Sequence, residues 1–292
     1  MMQIAIYGRK ISKQNLKSFY YVFELIQSLG WKLMIEEDLA NSIVQKKEID
    51  FPYKTFNSDK DLKNGVDLVI SMGGDGTFLK CVSYIKNSGV PIMGINIGRL
   101  GFLANVSLDQ TSEALHDIQA KKYVFQKRSL LKVQVEGSMD GEFLAMNELT
   151  IHKKDTTSMV AVNVSLDDNF LNTYWSDGLI VSTPTGSTAY NLSCGGPIIT
   201  PGCQVHIITP IAAHNLNVRP VVVPDHMPIK LSVEGRNRSY LMSIDGKSIS
   251  IKQGQEIKIT KADFMINVIK FENNNFLDTI RNKMLWGSDK RN

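Results

Sequence analysis

The run Gly73-Gly74-Asp75-Gly76-Thr77 leaves a chain few ways to fold around it. It follows an apolar segment, Asp67-Leu-Val-Ile-Ser-Met72, that reads as a buried parallel strand. A helix pattern with Phe78, Leu79, Val82 and Ile85 comes next. A strand that turns through glycines into a helix start presents free backbone N–H groups and a positive dipole end, which suits a phosphate. Glycine lets that backbone approach an anion where a Cβ would collide. Asp75 is the anomaly, because a carboxylate repels a phosphate. Two chemistries justify the repulsion: taking a proton from an attacking hydroxyl, or holding a magnesium ion. Taken alone, the run also fits a tight strand-to-helix turn with an Asp near the helix start.

The flanking pattern predicts an α/β domain over residues 1–127. Gln3 to Gly8 reads as a strand. Leu16, Phe19, Tyr20, Phe23, Ile26 and Leu29 share one helical face that ends at Gly30. Trp31 to Ile35 and Pro91 to Ile97 read as further strands, and Ser107-Leu-Asp-Gln110 as a capping box opening a helix through Ile118. Strand–helix alternation implies a Rossmann-like parallel sheet with ligands at the carboxyl ends of its strands. Gly73–Thr77 and a second glycine-rich loop, Gly98-Arg-Leu-Gly101-Phe102, both fall at such ends and should share one side of the sheet.

The texture changes near Lys127. Short alternating strands with turns at Asp140-Gly141, Asp167-Asp168-Asn169, Glu234-Gly235, Asp245-Gly246 and Gln253-Gly254 predict an antiparallel β-sandwich over residues 128–271. A short helical piece near Ser187 to Leu192 interrupts it. The tail, residues 272–292, turns helical with Phe276, Ile280, Met284 and Leu285 as its apolar face. A lone helix needs a surface to bury against, so it is expected to return to the first domain.

Composition bounds the partners. With 43% hydrophobic and 21% charged residues, the 292-residue chain is an ordinary globular protein. Its formal charge of +4 is spread over short clusters: Lys46-Lys47, Lys121-Lys122, Lys127-Arg128, Arg236 with Arg238, and Lys290-Arg291. That suits small polyanions and no nucleic-acid groove, which wants a denser basic stripe. Three scattered cysteines, Cys81, Cys194 and Cys203, show no pairing or metal spacing, which fits a reducing, cytoplasmic setting. No apolar stretch approaches the ~18 residues of a membrane span, so no membrane partner is expected.

A second segment stands out because residues 178 to 218 contain no Asp, Glu, Lys or Arg. Its core reads Asp177-Gly-Leu-Ile-Val-Ser-Thr-Pro-Thr-Gly-Ser-Thr-Ala-Tyr190-Asn-Leu-Ser-Cys-Gly-Gly-Pro197. Hydroxyls, free amides and an aromatic face together are what a nucleoside needs. A structural crossover within the β domain accounts for the same letters, and so does burial against a neighbouring subunit.

The glycine loop, Gly101-Phe102-Leu103, Asn147-Glu148, the segment from Asp177 to Tyr190, and Arg281-Asn-Lys-Met-Leu-Trp286-Gly resemble, in order, the NAD kinase family. The resemblance implies transfer of the γ-phosphoryl of ATP to the 2′-hydroxyl of the adenosine ribose of NAD, giving NADP, with a divalent cation such as magnesium. It implies that Asp75 is the proton acceptor and that Gly76 and Phe102 lie against ligand. Asn147 and Glu148 would bind ribose, and Asp177 the carboxamide of the nicotinamide end. Thr188, Ala189, Tyr190 and Ser193 would form the adenine side, and Asn191 and Leu192 would also belong to the binding residues. Ala212 would touch nicotinamide across a subunit interface, in a homodimer or homotetramer. The chain departs from the family's usual pattern at Trp175, Lys247 and Ser158, which bears on NAD versus NADH preference. Two other readings compete. A diacylglycerol- or sphingosine-type lipid kinase shares the glycine loop but leaves the Thr-Pro-Thr-Gly-Ser-Thr-Ala-Tyr segment unexplained. A non-catalytic dinucleotide-binding regulator gains nothing from Asp75.

Overall fold

The computed structural model describes all residues except 10, 13–14, 47–48, 64, 99–100, 139–140, 155–158, 236–237, 273–274 and 287–292. Of the positions singled out above, Lys47, Arg99, Leu100, Asp140, Ser158, Arg236, Gly287, Lys290 and Arg291 lie outside the described residues. The chain divides into two units, residues 1–127 with 266–292, and residues 128–265.

The first unit opens with strand β1 (Gln3–Gly8), helix α1 (Leu16–Ser28), β2 (Lys32–Glu36), α2 (Glu37–Val44), β3 (Tyr53–Phe56) and α3 (Asp59–Lys63). It continues with β4 (Leu68–Met72), α4 (Asp75–Ile85), β5 (Ile92–Asn96), β6 (Val106–Ser107), α5 (Thr111–Gln119) and β7 (Val124–Arg128). Strands β1 to β5 pair in parallel, and β4 and β5 are buried along their whole length. Their continuous apolar runs reflect helices covering both faces of a parallel sheet. The aliphatic side chains of the sheet and the buried face of α1 form one core with Leu115 and Ile118 of α5. Strand β3 and helices α2 and α3 were not foreseen, because segments this short carry little periodicity. The expected capping box is half present: Ser107 Oγ donates to Gln110 Oε1 at 2.9 Å, but Gln110 itself is the cap residue and the helix starts at Thr111.

The second unit holds β8 (Leu131–Val135), β9 (Glu142–Ala145), β10 (Glu148–His152), β11 (Val160–Leu166), β12 (Asn169–Ser176) and β13 (Gly178–Ser182). A 3-10 turn (Gly186–Thr188) and the short helix α6 (Tyr190–Ser193) interrupt it. It closes with β14 (Val205–Ile211), β15 (Val221–Pro224), β16 (Ile229–Glu234), β17 (Ser239–Ile244), β18 (Lys247–Lys252) and β19 (Ile257–Lys261). They form two six-stranded sheets, ordered β15-β14-β13-β10-β17-β18 and β12-β11-β16-β19-β8-β9, around one apolar core. Every pair described in them is antiparallel. The Asp167-Asp168 and Asp245-Gly246 turns adopt positive φ at both central positions, which matches the right-handed twist of the strands they join.

Two expectations change. The last strand, β20 (Ile266–Lys270), belongs to the first unit, where it pairs in parallel with β5 and puts Ile269 and Phe271 into that unit's core. A β region drawn to residue 271 therefore runs past the point where the chain leaves the sandwich, because a short apolar strand does not say which sheet it will join. The tail helix α7 (Phe276–Met284) also belongs to the first unit, but it buries only Ile280, and Leu285 is exposed as its left-handed cap. Among the described residues no helix is long and apolar enough to cross a membrane.

Gly94 shows how closely the first unit is packed beside its loops. A Cβ there would stand 2.6 Å from Ala104 Cα and 2.9 Å from the Phe78 ring. Gly94→Ala should cost about 1–3 kcal/mol through overpacking. It should lower the urea midpoint with no change in slope, and an unchanged midpoint would show that the 101–104 segment gives way freely.

Candidate active site

The glycine loop forms as its sequence requires. Gly73 takes φ of 155° and donates to Ile95 O at 2.9 Å, and its missing Cβ leaves room for Thr77, whose Oγ1 would otherwise lie 2.4 Å away. Helix α4 begins at Asp75 with no side-chain cap at Gly74. Thr77 N donates to Gly74 O at 2.8 Å, which leaves the N–H groups before it at this helix start, beyond the carboxyl end of β4, where an anion is favoured. Arg9, just past β1 and overlooked in the sequence, donates from Nη2 to Gly76 O at 3.3 Å. It places a cation beside the same turn.

The Asp75 carboxylate turns back onto the second loop. Oδ2 accepts from Phe102 N at 2.8 Å, and Oδ1 accepts from Leu103 N and Ala104 N, each at 3.0 Å. The two glycine loops thus share one side of the sheet, as expected, and Asp75 joins them. Gly101 makes the approach possible, since a Cβ there would fall 1.8 Å from Asp75 Oδ1. A carboxylate offers about four acceptor positions. Oδ2, with one amide bound, retains one of them. Phe102 in turn lies under Lys283 of α7, 5.0 Å from ring centroid to Nζ. Among the described residues no three His, Cys, Asp or Glu side chains cluster to hold a metal ion.

In the second unit an equivalent device organises the Asn147-Glu148 pair. Asp245 Oδ2 accepts from Met146 N at 2.6 Å, and Oδ1 accepts from Asn147 N and Glu148 N at 2.9 and 3.0 Å. The Asn147 carbonyl accepts from Thr183 N at 2.9 Å and Ser182 Oγ at 3.2 Å. Gly186 passes so close that a Cβ would sit 2.2 Å from that carbonyl. Asn147, Glu148 and the Thr-Pro-Thr-Gly turn are therefore one assembly.

Glu148 is half-buried, yet its Oε2 is closed off with no partner. Burial, with the Asp245 carboxylate second, pushes its acid up from the usual 4.5 to about 8, against the pull of the Tyr190 backbone N–H. Burial raises Asp245 as well, but its three amide donors favour the carboxylate, so the proton of this pair belongs on Glu148.

The candidate residues from Thr188 to Ser193 divide by exposure. Tyr190 is exposed and stacks on His152, ring centroids 5.8 Å apart at 27°. Ser193 is exposed, and Thr188, Ala189 and Leu192 are partly so. Asn191 is fully buried: its amide donates to Ser187 O and Pro197 O, and its Oδ1 accepts from Thr209 at 2.6 Å. Its side chain holds the turn and offers nothing to a ligand.

Asp177 pairs with Lys153 Nζ at 2.5 Å, and its N–H reaches Ile211 O at 2.9 Å, which sets it beside Ala212. Ala212 is exposed with φ of 48°, a left-handed conformation that costs a non-glycine residue of order 1–3 kcal/mol. His152, the last residue of the strand that begins at Glu148, and Lys153, directly after it, were missed in the sequence. Trp175 is exposed, and Lys247 lies 6.0 Å from the Phe143 ring centroid.

The raised Glu148 acid has a signed consequence. Between its unfolded value near 4.5 and its folded value near 8, the unfolded chain has released a proton that the folded chain keeps. Its contribution to stability is complete below pH 4.5 and is lost as the pH rises through 8. Glu148→Gln, always neutral, should remove that part of the slope. Urea midpoints of the two proteins from pH 5 to 8.5 should diverge increasingly in the variant's favour. Parallel curves would mean that Glu148 is ionised throughout.

Comparison with known proteins finds a match for each of the two units. The ATP-NAD kinase N-terminal domain matches residues 4–123, and the ATP-NAD kinase C-terminal domain matches residues 146–271. The chain is 45% identical to an NAD kinase of Flavobacterium psychrophilum and 38% identical to one of Cytophaga hutchinsonii, each over the full length of both proteins. The fold superposes on yeast NADH kinase, solved with NADH, at a TM-score of 0.88 and 22% identity, covering 99% of this chain and 89% of that one. An NAD kinase from Archaeoglobus fulgidus, solved with ATP, gives a TM-score of 0.73 at 25% identity over 97% and 99% of the two chains. With two matching domains in order and full-length relatives at this level of identity, the chain belongs to the ATP-NAD kinase family, whose reaction is the ATP-dependent phosphorylation of NAD.

Proposed function

We propose that Asp75 is the group that accepts the proton of the NAD 2′-hydroxyl as that oxygen attacks the γ-phosphorus of ATP. The observation behind this reading is the Asp75 carboxylate itself. It sits on the first turn of a helix, oriented by three amides and with one acceptor position left on Oδ2. The forming O–P bond makes the hydroxyl acidic, and a carboxylate in hydrogen-bond reach takes the proton while the β–γ bridging bond breaks toward ADP. The amides at Gly74 to Gly76, with Arg9, favour phosphate at the same turn. Magnesium bound here would depend on the phosphates of ATP for most of its ligands, since the described residues offer no cage of their own. Its chemistry would be charge neutralisation at the phosphates.

In this reading the second unit recognises NAD. The Asn147 amide and a protonated Glu148 meet the adenosine ribose, where a neutral acid both donates to a hydroxyl and spares the phosphates a like charge. Tyr190 supplies an exposed face for adenine beside Thr188, Ala189 and Ser193. Asp177, ordered by Lys153, receives the carboxamide of the nicotinamide end. Ala212 meets that end from a second subunit in a cytoplasmic homodimer or homotetramer. The uncharged exposed loop around Leu216, 86% exposed, supports such an assembly. The buried strands β13 and β14 explain the rest of the uncharged segment.

Asp75→Asn should lower kcat at least ~10²-fold while NAD dissociation changes less than tenfold. Near-normal turnover would take Asp75 out of the proton transfer. Mixing inactive Asp75→Asn with inactive Asp177→Ala subunits should restore part of the activity if each site draws on two chains. A mixture that stays dead despite proven subunit exchange, or an active monomer by light scattering, would show that one chain suffices.

A further inference from the structure

The first unit carries a cavity whose lining includes none of the residues assigned to the kinase chemistry. It has a volume of about 530 Å³, within the range that holds small organic ligands. It is built where α1 ends and where β1, β2 and β3 begin, so its wall lies at the amino ends of the parallel strands. Asp75 follows the carboxyl end of β4, which runs parallel to β1. A six-residue strand such as β1 spans roughly 20 Å at ~3.3 Å per residue. The cavity and the phosphate turn therefore occupy opposite ends of the sheet.

The wall is aromatic. Phe23 and Phe51 meet edge to face at 5.7 Å and 80°, and Trp31 and Tyr53 complete it. Its rim is cationic: Lys32 and Lys54 line the opening, the lining contains no carboxylate, and neither lysine has an ion-pair partner among the described residues. Trp31 is nine-tenths buried and adds its ring to the apolar wall. An apolar, aromatic wall beside two exposed lysines without ion-pair partners among the described residues selects for one class of molecule. Rings bury against the aromatic side chains, and a negative group is needed at the mouth.

We propose that this cavity is a binding site for a small aromatic monoanion, a one- or two-ring system bearing a carboxylate, separate from the dinucleotide site. The probe is 1-naphthaleneacetate, with its neutral amide, 1-naphthaleneacetamide, as the matched control, titrated by calorimetry into the full-length protein. The acid should bind at least tenfold more tightly than the amide, and saturating NAD should leave its affinity unchanged. Lys32→Glu combined with Lys54→Glu should weaken the acid at least tenfold and leave the amide alone. Gln27→Trp, at an exposed lining position of α1, should fill the cavity and abolish binding of both, with kcat and KM for NAD unchanged as proof of an intact fold. The acid–amide comparison in the unaltered protein stands even if a variant misfolds. No binding of the acid, equal binding of acid and amide, displacement by NAD, or binding that survives Gln27→Trp would each overturn the proposal.

Discussion

A partly buried carboxylate that gathers consecutive backbone amides is the interaction on which the candidate site residues of each unit depend. Asp75 takes the N–H groups of Phe102, Leu103 and Ala104, and Asp245 takes those of Met146, Asn147 and Glu148. Three charge-assisted bonds to successive amides fix a loop more firmly than any single side-chain contact, because amides left unpaired would each carry a desolvation cost. The device also demands an empty space beside it. Gly101 supplies that space in the first unit, where any Cβ would collide with the carboxylate.

This reshapes what Asp75 is for. A residue read as a proton acceptor also ties the glycine turn to its neighbouring loop, so one side chain does that positioning beside the chemistry proposed for it. Oδ2 holds a single amide, whereas Oδ1 holds two, so Oδ2 is the oxygen left for the hydroxyl in the proposed role. Asp245 differs, since its charge falls on a second carboxyl nearby. Glu148, buried at Oε2 and facing that charge, keeps its proton at neutral pH. In the proposed ribose-binding role, a neutral acid is better suited to a substrate that carries phosphates.

The second unit also separates scaffold from contact within one short motif. Ser187 and Asn191 spend their polar atoms on the turn, while Tyr190 and Ser193 remain exposed between and after them. Adjacent letters in the same motif therefore have opposite duties. Within α6 the helical repeat puts Tyr190 and Ser193, three residues apart, on one exposed face and turns Asn191 inward.

Much of this protein was legible before any coordinates. The strand-glycine-helix turn at Gly73–Thr77, the parallel α/β character of the first unit and the hairpin-rich second unit follow from local backbone chemistry, which short stretches of sequence encode. The resemblance to the kinase family rested on whole motifs in order. What local chemistry does not encode is partnership across the chain. Nothing in Ile266–Lys270 announces that it crosses back to pair with β5. Nothing in Asp245-Gly246 beyond a turn signal announces that its carboxylate will hold residues 146–148. Arg9, His152 and Lys153 acquire meaning only when distant segments pack beside them, and Asn191 loses its expected role for the same reason. Spacing along the chain specifies each element, but burial and hydrogen-bond completion, which depend on the folded neighbours, decide which side chains are left for a ligand.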